Sequence, residues 1–285
     1  MAIRFVVDSA ADIPDHIART HDIAMVPLSI HFGDRIYKDR VDLSPEDFLF
    51  KLKNSSDLPN TSQPSPGEFL EVYEAHWKPG DTLFSFHLSS KFSGTYQSAV
   101  LASRQLSDRQ IHVIDTGLAS MGIGMPAIAG ARWASQGASA DEIKHLTAEL
   151  IASTRSYFLV DTLDYLARHG RIGRAKALVG SVLNIKPVLC VQDGLVDVAD
   201  RLRGFNKAFA RLLELALGHL KEDASYMCAI MEADQSELAE EIEATIRQQA
   251  SCESIEIIKA PLGATIGTHT GPGTVGIVIG RLPKS

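Results

Sequence analysis

Residues 82–99 read TLFSFHLSSKFSGTYQSA. The run TLFSFHL predicts a buried strand. A polar loop carrying Ser89, Ser90 and Ser93 follows, and Gly94 and Thr95 open a helix that should run to Leu106. A strand feeding a helix through a short loop is the unit of a parallel sheet with right-handed crossovers. The same unit recurs outward in both directions. Upstream lie IRFVVD as a strand, DIPDHIART as a helix with Asp12 as its cap, and IAMVPLSIHF as a strand made irregular by Pro27. Ser44 with Pro45, and Ser65 with Glu68, have N-terminal capping patterns. Downstream, IHVID precedes a long helix from about Leu118 to Ser135, and Ser139 with Glu142 caps another. Residues 1–153 are therefore expected to form an N-terminal Rossmann-like α/β domain with a parallel sheet. Ligands in such sheets bind beyond the carboxyl ends of the strands.

Residues 154–285 follow a different pattern. A short helix near Leu163–Arg168 precedes GRIGRAKALVGSVLNIKPVL, expected as a helix running into a strand at Pro187. Asp193-Gly194 lies between PVLCV and LVDVAD and predicts a hairpin. Helices near 205–220 and 235–249 alternate with strands YMCAIM and SIEIIK, and TVGIVI closes the pattern. This predicts a C-terminal two-layer α/β domain with a mixed or antiparallel sheet.

Bulk properties narrow the function. The 285 residues carry a formal charge of −7 and a pI near 5.8, without the basic footprint a duplex DNA binder needs. Hydrophobic residues make up 45% and charged residues 22%, which excludes intrinsic disorder. Cys190, Cys228 and Cys252 lie far apart, so zinc-ribbon spacing is absent. Their odd number and the strand-like start predict a cytoplasmic protein with no signal peptide. No apolar run approaches the roughly 18 residues of a membrane span.

Catalytic signatures are mostly missing. GPGTVG at 271–276 matches a dinucleotide fingerprint letter for letter, but a strand follows it where a helix is needed. The glycines of MGIGMPA come too late after the strand ending at Asp115. P-loop, HExxH and GxSxG patterns are absent. No metal site is expected. The informative feature is hydroxyls. LPNTSQPSP sets Thr61 and Ser62 in a polar loop, and Ser93 and Gly94 sit where a helix opens. Free N–H groups at such a turn, with adjacent hydroxyls, can receive an anion. Equally, Ser93 can be a simple N-cap and Thr61 a turn residue. His269 lies in the glycine- and hydroxyl-rich stretch GATIGTHTGPGTVG, read as a loop, where it is either functional or structural. Arg168, Arg171, Arg174, Lys176, Arg201, Arg203 and Lys207 form basic clusters suited to docking an acidic group, or to a solvated helix face.

Six motifs in order then resemble the DegV family of bacterial fatty-acid-binding proteins: VVDSAADIP, TSQPSPGEF, SSKFSGTYQSA, VIDTGLASMG, GRIGRAKALVGSVLNIKPVL and THTGPGTVG. The resemblance implies two domains with a long-chain fatty acid, such as palmitate, in a tunnel at their junction. It implies no other cofactor. It further implies a non-enzymatic carrier subunit that presents the acid to a separate ATP-binding fatty-acid kinase, with the acyl phosphate destined for phospholipid synthesis. The family's carboxylate ligands fall on Thr61, Ser93, the N–H of Gly94, and His269, with Ser62 and Ser90 as secondary candidates. Arg171 and Arg203 match positions linked with kinase docking or phosphorylation. Apolar candidates for the tunnel wall are Ile123, Met125, Ile128, Phe158, Leu159 and Leu183. A tail of about fourteen methylenes, at about 0.8 kcal/mol each, offers at most about 11 kcal/mol. His269 can act neutral or protonated in such a site. The alternatives are a Ser93/His269 hydrolase, a subunit like the substrate subunit of dihydroxyacetone kinase, and a nucleotide-binding regulator.

Overall fold

A computed structural model describes residues 2–55, 57–179 and 185–284. From the N-terminus the chain forms β1 (Ile3–Asp8), α1 (Asp15–Thr20), β2 (Ile23–Val26), β3 (Ser29–Phe32), β4 (Arg35–Lys38) and α2 (Pro45–Asn54). It continues through β5 (Asn60–Ser62), α3 (Pro66–His76), β6 (Thr82–His87), α4 (Thr95–Gln105), β7 (Gln110–Asp115), α5 (Met121–Ser135) and α6 (Ala140–Ser153). The second half holds β8 (Arg155–Leu159), α7 (Asp164–Arg168), β9 (Ile185–Gln192), β10 (Leu195–Arg203) and α8 (Phe205–Leu217). It ends with β11 (Ser225–Glu232), α9 (Ser236–Gln249), β12 (Ser254–Pro261), α10 (Ala264–Thr270) and β13 (Val275–Arg281).

The first sheet has the order β2-β1-β6-β7 and is parallel throughout. Its central strand β6 is buried at every residue, as a strand covered on both faces must be. The capping boxes at Ser65/Glu68 and Ser139/Glu142 form as their spacing predicts. The second sheet, β10-β9-β8-β13-β11-β12, is mixed: β11 and β12 run parallel and the other pairs antiparallel. Asp193 and Gly194 both have positive φ, 51° and 76°, and turn the β9–β10 hairpin.

Several expectations are corrected. IAMVPLSIHF is not one strand. Pro27, which has no N–H to donate, separates β2 from β3, and β3 joins a small antiparallel sheet β4-β3-β5. Thr61 and Ser62 belong to β5 rather than to a loop. Asp12 does not cap α1, whose N-cap is Pro14; it is buried in a left-handed conformation. The stretch around His269 is the helix α10 rather than a loop. The expected helix before Pro187 is a 3-10 helix at Gly173–Leu178, and residues 180–184, with Leu183, lie outside the described residues. The glycines of MGIGMPA lie inside α5. A Cβ on Gly124 would sit 2.8 Å from Ile13 Cγ1 and 2.9 Å from the Ala11 carbonyl oxygen, so this glycine serves close contact within the fold. GPGTVG is a turn into β13, with Gly271 and Gly273 at φ 79° and 78°.

Helix α5 contacts both sheets. Its Ile123, Met125 and Ile128 sit in one buried cluster with Phe5, Phe84 and Phe86 from the first sheet and Met227 and Val278 from the second. These three side chains are core, not tunnel wall. Leu159 is core as well. Side chains alternate along a strand, and Tyr157 and Leu159 pack with Leu212 and Ile242 of α8 and α9. Ser156 and Phe158 take the other face of β8, which borders the cavity described next.

Candidate functional site

A cavity of about 360 Å³ lies beyond the carboxyl ends of β6 and β7. That volume is within the usual range of ligand pockets, about 300–1,000 Å³. The loop after β6 contributes Leu88, Phe92, Ser93 and Gly94, and the loop after β7 contributes Ala119 and Ser120. The facing wall is the second sheet. Met231, Gly276 and Phe158 stand opposite one another on β11, β13 and β8, and Val191 and Val196 continue the wall on the hairpin. Leu166, Leu262 and Ile266 add apolar surface.

The polar groups of this cavity are drawn from distant parts of the chain. Thr61 Oγ1 and His269 Nε2 are 2.9 Å apart, although 208 residues separate them. Gln63 lies against Gly94 so closely that a Cβ there would be 2.2 Å from Gln63 Oε1. The Gln63 amide, at the end of a flexible side chain, thus packs directly over the start of α4. Ser93 Oγ accepts the Thr95 N–H at 3.3 Å and lies 2.9 Å from Thr95 Oγ1. The N-cap of α4 is Gly94 rather than Ser93, which accepts the first helical N–H from one position earlier and also lines the cavity.

His269 is poised to stay neutral. Burial, reinforced by His169 and Arg171, pushes its pKa down to about 3. Its Nδ1 is buried without a hydrogen-bond partner. His169 meets it edge-on at 4.9 Å, is itself held below the ordinary histidine range by burial and the nearby arginines, and has an unpartnered buried Nε2. Arg171 is exposed at the cavity's rim, donating to the carbonyls of Phe92 at 3.2 Å and His169 at 2.6 Å.

The fold thus brings Thr61, Ser62, Ser93, Gly94, Arg171 and His269 to one cavity. Ser62 Oγ also meets His31 Nε2 at 2.9 Å. Ser90 is elsewhere: its N–H donates to the Asp115 carboxylate at 3.2 Å, and it is not in the lining. Arg203 is exposed at the far end of β10, seven residues from Val196, or about 23 Å along an extended strand. Of the other basic residues singled out, Arg174 is paired to Asp193 and Asp197. Sequence reading overlooked Gln63, Ser120 and Thr265, which also line the cavity. Gln63 stood in the open between Ser62 and Pro64; Ser120 and Thr265 carried no local signal. Among the described residues, no group of three or more His, Cys, Asp or Glu is placed to hold a metal ion, and no helix is long and apolar enough to cross a membrane.

This arrangement can hold an amphipathic acid. The apolar walls are suited to a hydrocarbon, and the hydroxyls and the N–H at the start of α4 can donate to a carboxylate. A buried carboxylate without such donors would cost several kcal/mol or become protonated.

The family model described as "Uncharacterised protein, DegV family" matches residues 2–281. A DegV domain-containing protein of Caldanaerobacter subterraneus is 38% identical over 275 residues, covering 96% of this chain and 97% of the relative. A structure described as fatty acid binding of a DegV family protein from Thermus thermophilus superposes with a TM-score of 0.92 at 32% identity, covering 99% of this chain and 100% of that one. A stearic-acid-binding protein from Eubacterium ventriosum superposes with a TM-score of 0.85 at 27% identity, covering 99% of this chain and 98% of that one.

Proposed function

Because the chain belongs to the DegV family, we propose that it binds a long-chain fatty acid, tail inward, with the carboxylate at Thr61, Ser93, the Gly94 N–H and His269. The observation that carries this reading is one cavity with an apolar wall of Met231, Gly276 and Phe158 and a polar end where Thr61, bonded to His269, gathers with Ser93 and Gly94. Affinity resides mostly in the tail, at about 0.8 kcal/mol per buried methylene. The polar end sets direction. Neutral His269 holds Thr61 Oγ1 in place, and an arriving carboxylate draws the ring's pKa back upward. Domain limits of 1–153 and 154–285 go with this reading, the ligand lying where the two halves meet.

The finer reading is a carrier that presents the acid to a separate ATP-binding kinase in the cytoplasm. The carboxylate oxygen attacks the γ-phosphorus of ATP, ADP departs, and an acyl phosphate forms for phospholipid synthesis. Arg171 at the rim supports this role, as the position where a phosphate or an acidic partner surface would arrive. Arg203 is assigned to partner docking away from the cavity. A hydrolase is less well supported: Ser93 pairs with Thr95 rather than His269, and no carboxylate meets His269 Nδ1.

Native mass spectrometry of the purified protein, with lipid extraction, tests the binding claim. The expected result is one bound fatty acid per chain, with retention lowered about tenfold or more by Thr61→Val with Ser93→Ala. Protein that carries no fatty acid, and whose melting temperature fatty acids do not raise, would overturn it.

A further inference from the structure

The helix α10 has only seven residues, and its N-cap, Gly263, offers no side chain. So short a helix has little intrinsic stability, and its direction must come from outside. Two buried carboxylates supply it. Asp12 Oδ1 accepts the Gly263 N–H at 2.9 Å. Asp39 accepts the Ala264 N–H at 3.2 Å and the Thr265 N–H at 3.1 Å, and Thr265 Oγ1 donates to it as well. Three consecutive N–H groups are thereby taken by two side chains from the opposite end of the sequence.

Where Asp39 comes from gives this grip its meaning. It directly follows β4, in the small sheet whose strand β5 carries Thr61. Thr265 and His269 are four residues apart on α10, on one helical face, and both line the cavity. The small sheet thus holds Thr265 through Asp39 and meets His269 through Thr61. The surroundings are backbone-strained. Asp12, Arg40 and Ser120 have φ of 52°, 63° and 53°, values costly for residues other than glycine. Ser120 Oγ donates to Asp12 Oδ2 at 2.6 Å, and Arg40 ties the cluster to the Ile13 carbonyl and Asp15. Strain of this kind persists where the surroundings over-determine a geometry.

We propose that Asp39, assisted by Asp12, is a positioning residue for the carboxylate site: it fixes α10 to the sheet bearing Thr61 and so sets the approach of His269 to that hydroxyl. The proposal deepens the fatty-acid reading and rests on it for its ligand.

The test is a double-mutant cycle on palmitate dissociation, read together with nitrogen-15 spectra of His269 in ligand-free protein. Asp39→Asn keeps the shape and turns an acceptor into a donor facing N–H groups. It should weaken palmitate binding about tenfold, and Thr61→Val added to it should cost much less than Thr61→Val alone. The ring signals of His269 should shift from one fixed tautomer toward an average. Additive losses, or a His269 spectrum unchanged by Asp39→Asn, would overturn the proposal, because a residue that merely stabilises the fold predicts both. If Asp39→Asn does not fold, Thr265→Val carries the test; it removes one bond to Asp39, and the same non-additivity at smaller size is expected. Wild-type protein that binds no palmitate sinks the fatty-acid reading alone, since the ligand-free His269 spectra still decide the positioning role.

Discussion

Two imidazoles at the ends of the same fold show opposite uses of one side chain. His87, at the end of β6, is fully enclosed. Its Nδ1 meets Asp8 Oδ2 at 3.0 Å and its Nε2 meets Ser85 Oγ at 2.7 Å, and Tyr73 donates to the same hydroxyl at 2.9 Å. His269 has one hydrogen-bond partner, Thr61, a buried ring nitrogen with none, and a place in the lining of a cavity. The first network closes on itself; the second has room for a guest. The contrast also bears on catalysis. Asp8, His87 and Ser85 have the acid–imidazole–hydroxyl order of a hydrolase, yet none of them lines the cavity. Ser93 and His269 line it and are not joined in that order. Relay chemistry and substrate space are held by different parts of the molecule.

That contrast can be broken at several points. The largest effect belongs to Asp8→Ala. Asp8 accepts from Ala10 N–H, Leu88 N–H and the His87 ring, so its loss strands buried partners. A destabilisation of about 3–5 kcal/mol is expected in urea unfolding. An unchanged midpoint would mean that the closed network contributes nothing to the fold.

The next effect concerns pH, where His269 and Asp12 oppose each other. Folding lowers the His269 pKa from 6.5 to about 3, so its contribution to stability is full above pH 6.5 and is lost as pH falls from there toward 3. Folding raises Asp12 from 3.8 to about 7, chiefly through burial, against the pull of Ser120, Arg40 and Gly263; the neighbouring Asp39 adds to the rise. Its contribution is present below pH 3.8 and lost as pH rises to about 7. Unfolding midpoints measured across pH 4–7 should therefore fall less steeply toward acid for His269→Gln, and fall less on the alkaline side for Asp12→Asn. Identical pH profiles for both variants and wild type would erase the distinction. The smallest effect is expected for Arg203→Ala. Fatty-acid affinity measured by displacement of a fluorescent lipid should stay within about twofold, as for an exposed charge remote from the ligand, while partner-dependent phosphorylation slows. A large loss of affinity would place Arg203 in the binding site.

How far the site could be read in advance varies by residue. Ser93 and Gly94 were legible because the buried run 82–88 and the helix after it bracket a single short loop. Gly94 also has a neighbour that only the fold displays, the amide of Gln63 packed over it. His269 was picked out by its glycine-rich neighbours, but those neighbours suggested a loop. The helix that forms instead depends on Asp12 and Asp39, more than two hundred residues away. Phe158 and Leu159 looked equally suited to a tunnel wall. Alternation along β8 sends them to opposite faces, and only the location of α8 and the cavity decides which face is core and which borders the cavity.

What the amino-acid order determined alone was local. Capping at Ser65 and Ser139, the Asp193-Gly194 turn and the alternation of strand with helix depend on residues a few positions apart, where sterics and hydrogen bonding act without help. Tertiary structure decided the pairing of Thr61 with His269, the grip of Asp39 on α10 and the hydrocarbon wall of Met231, Gly276 and Phe158. Those contacts join segments far apart in the chain, and their geometry follows from burying two sheets together, a free energy summed over the whole molecule that no short stretch encodes.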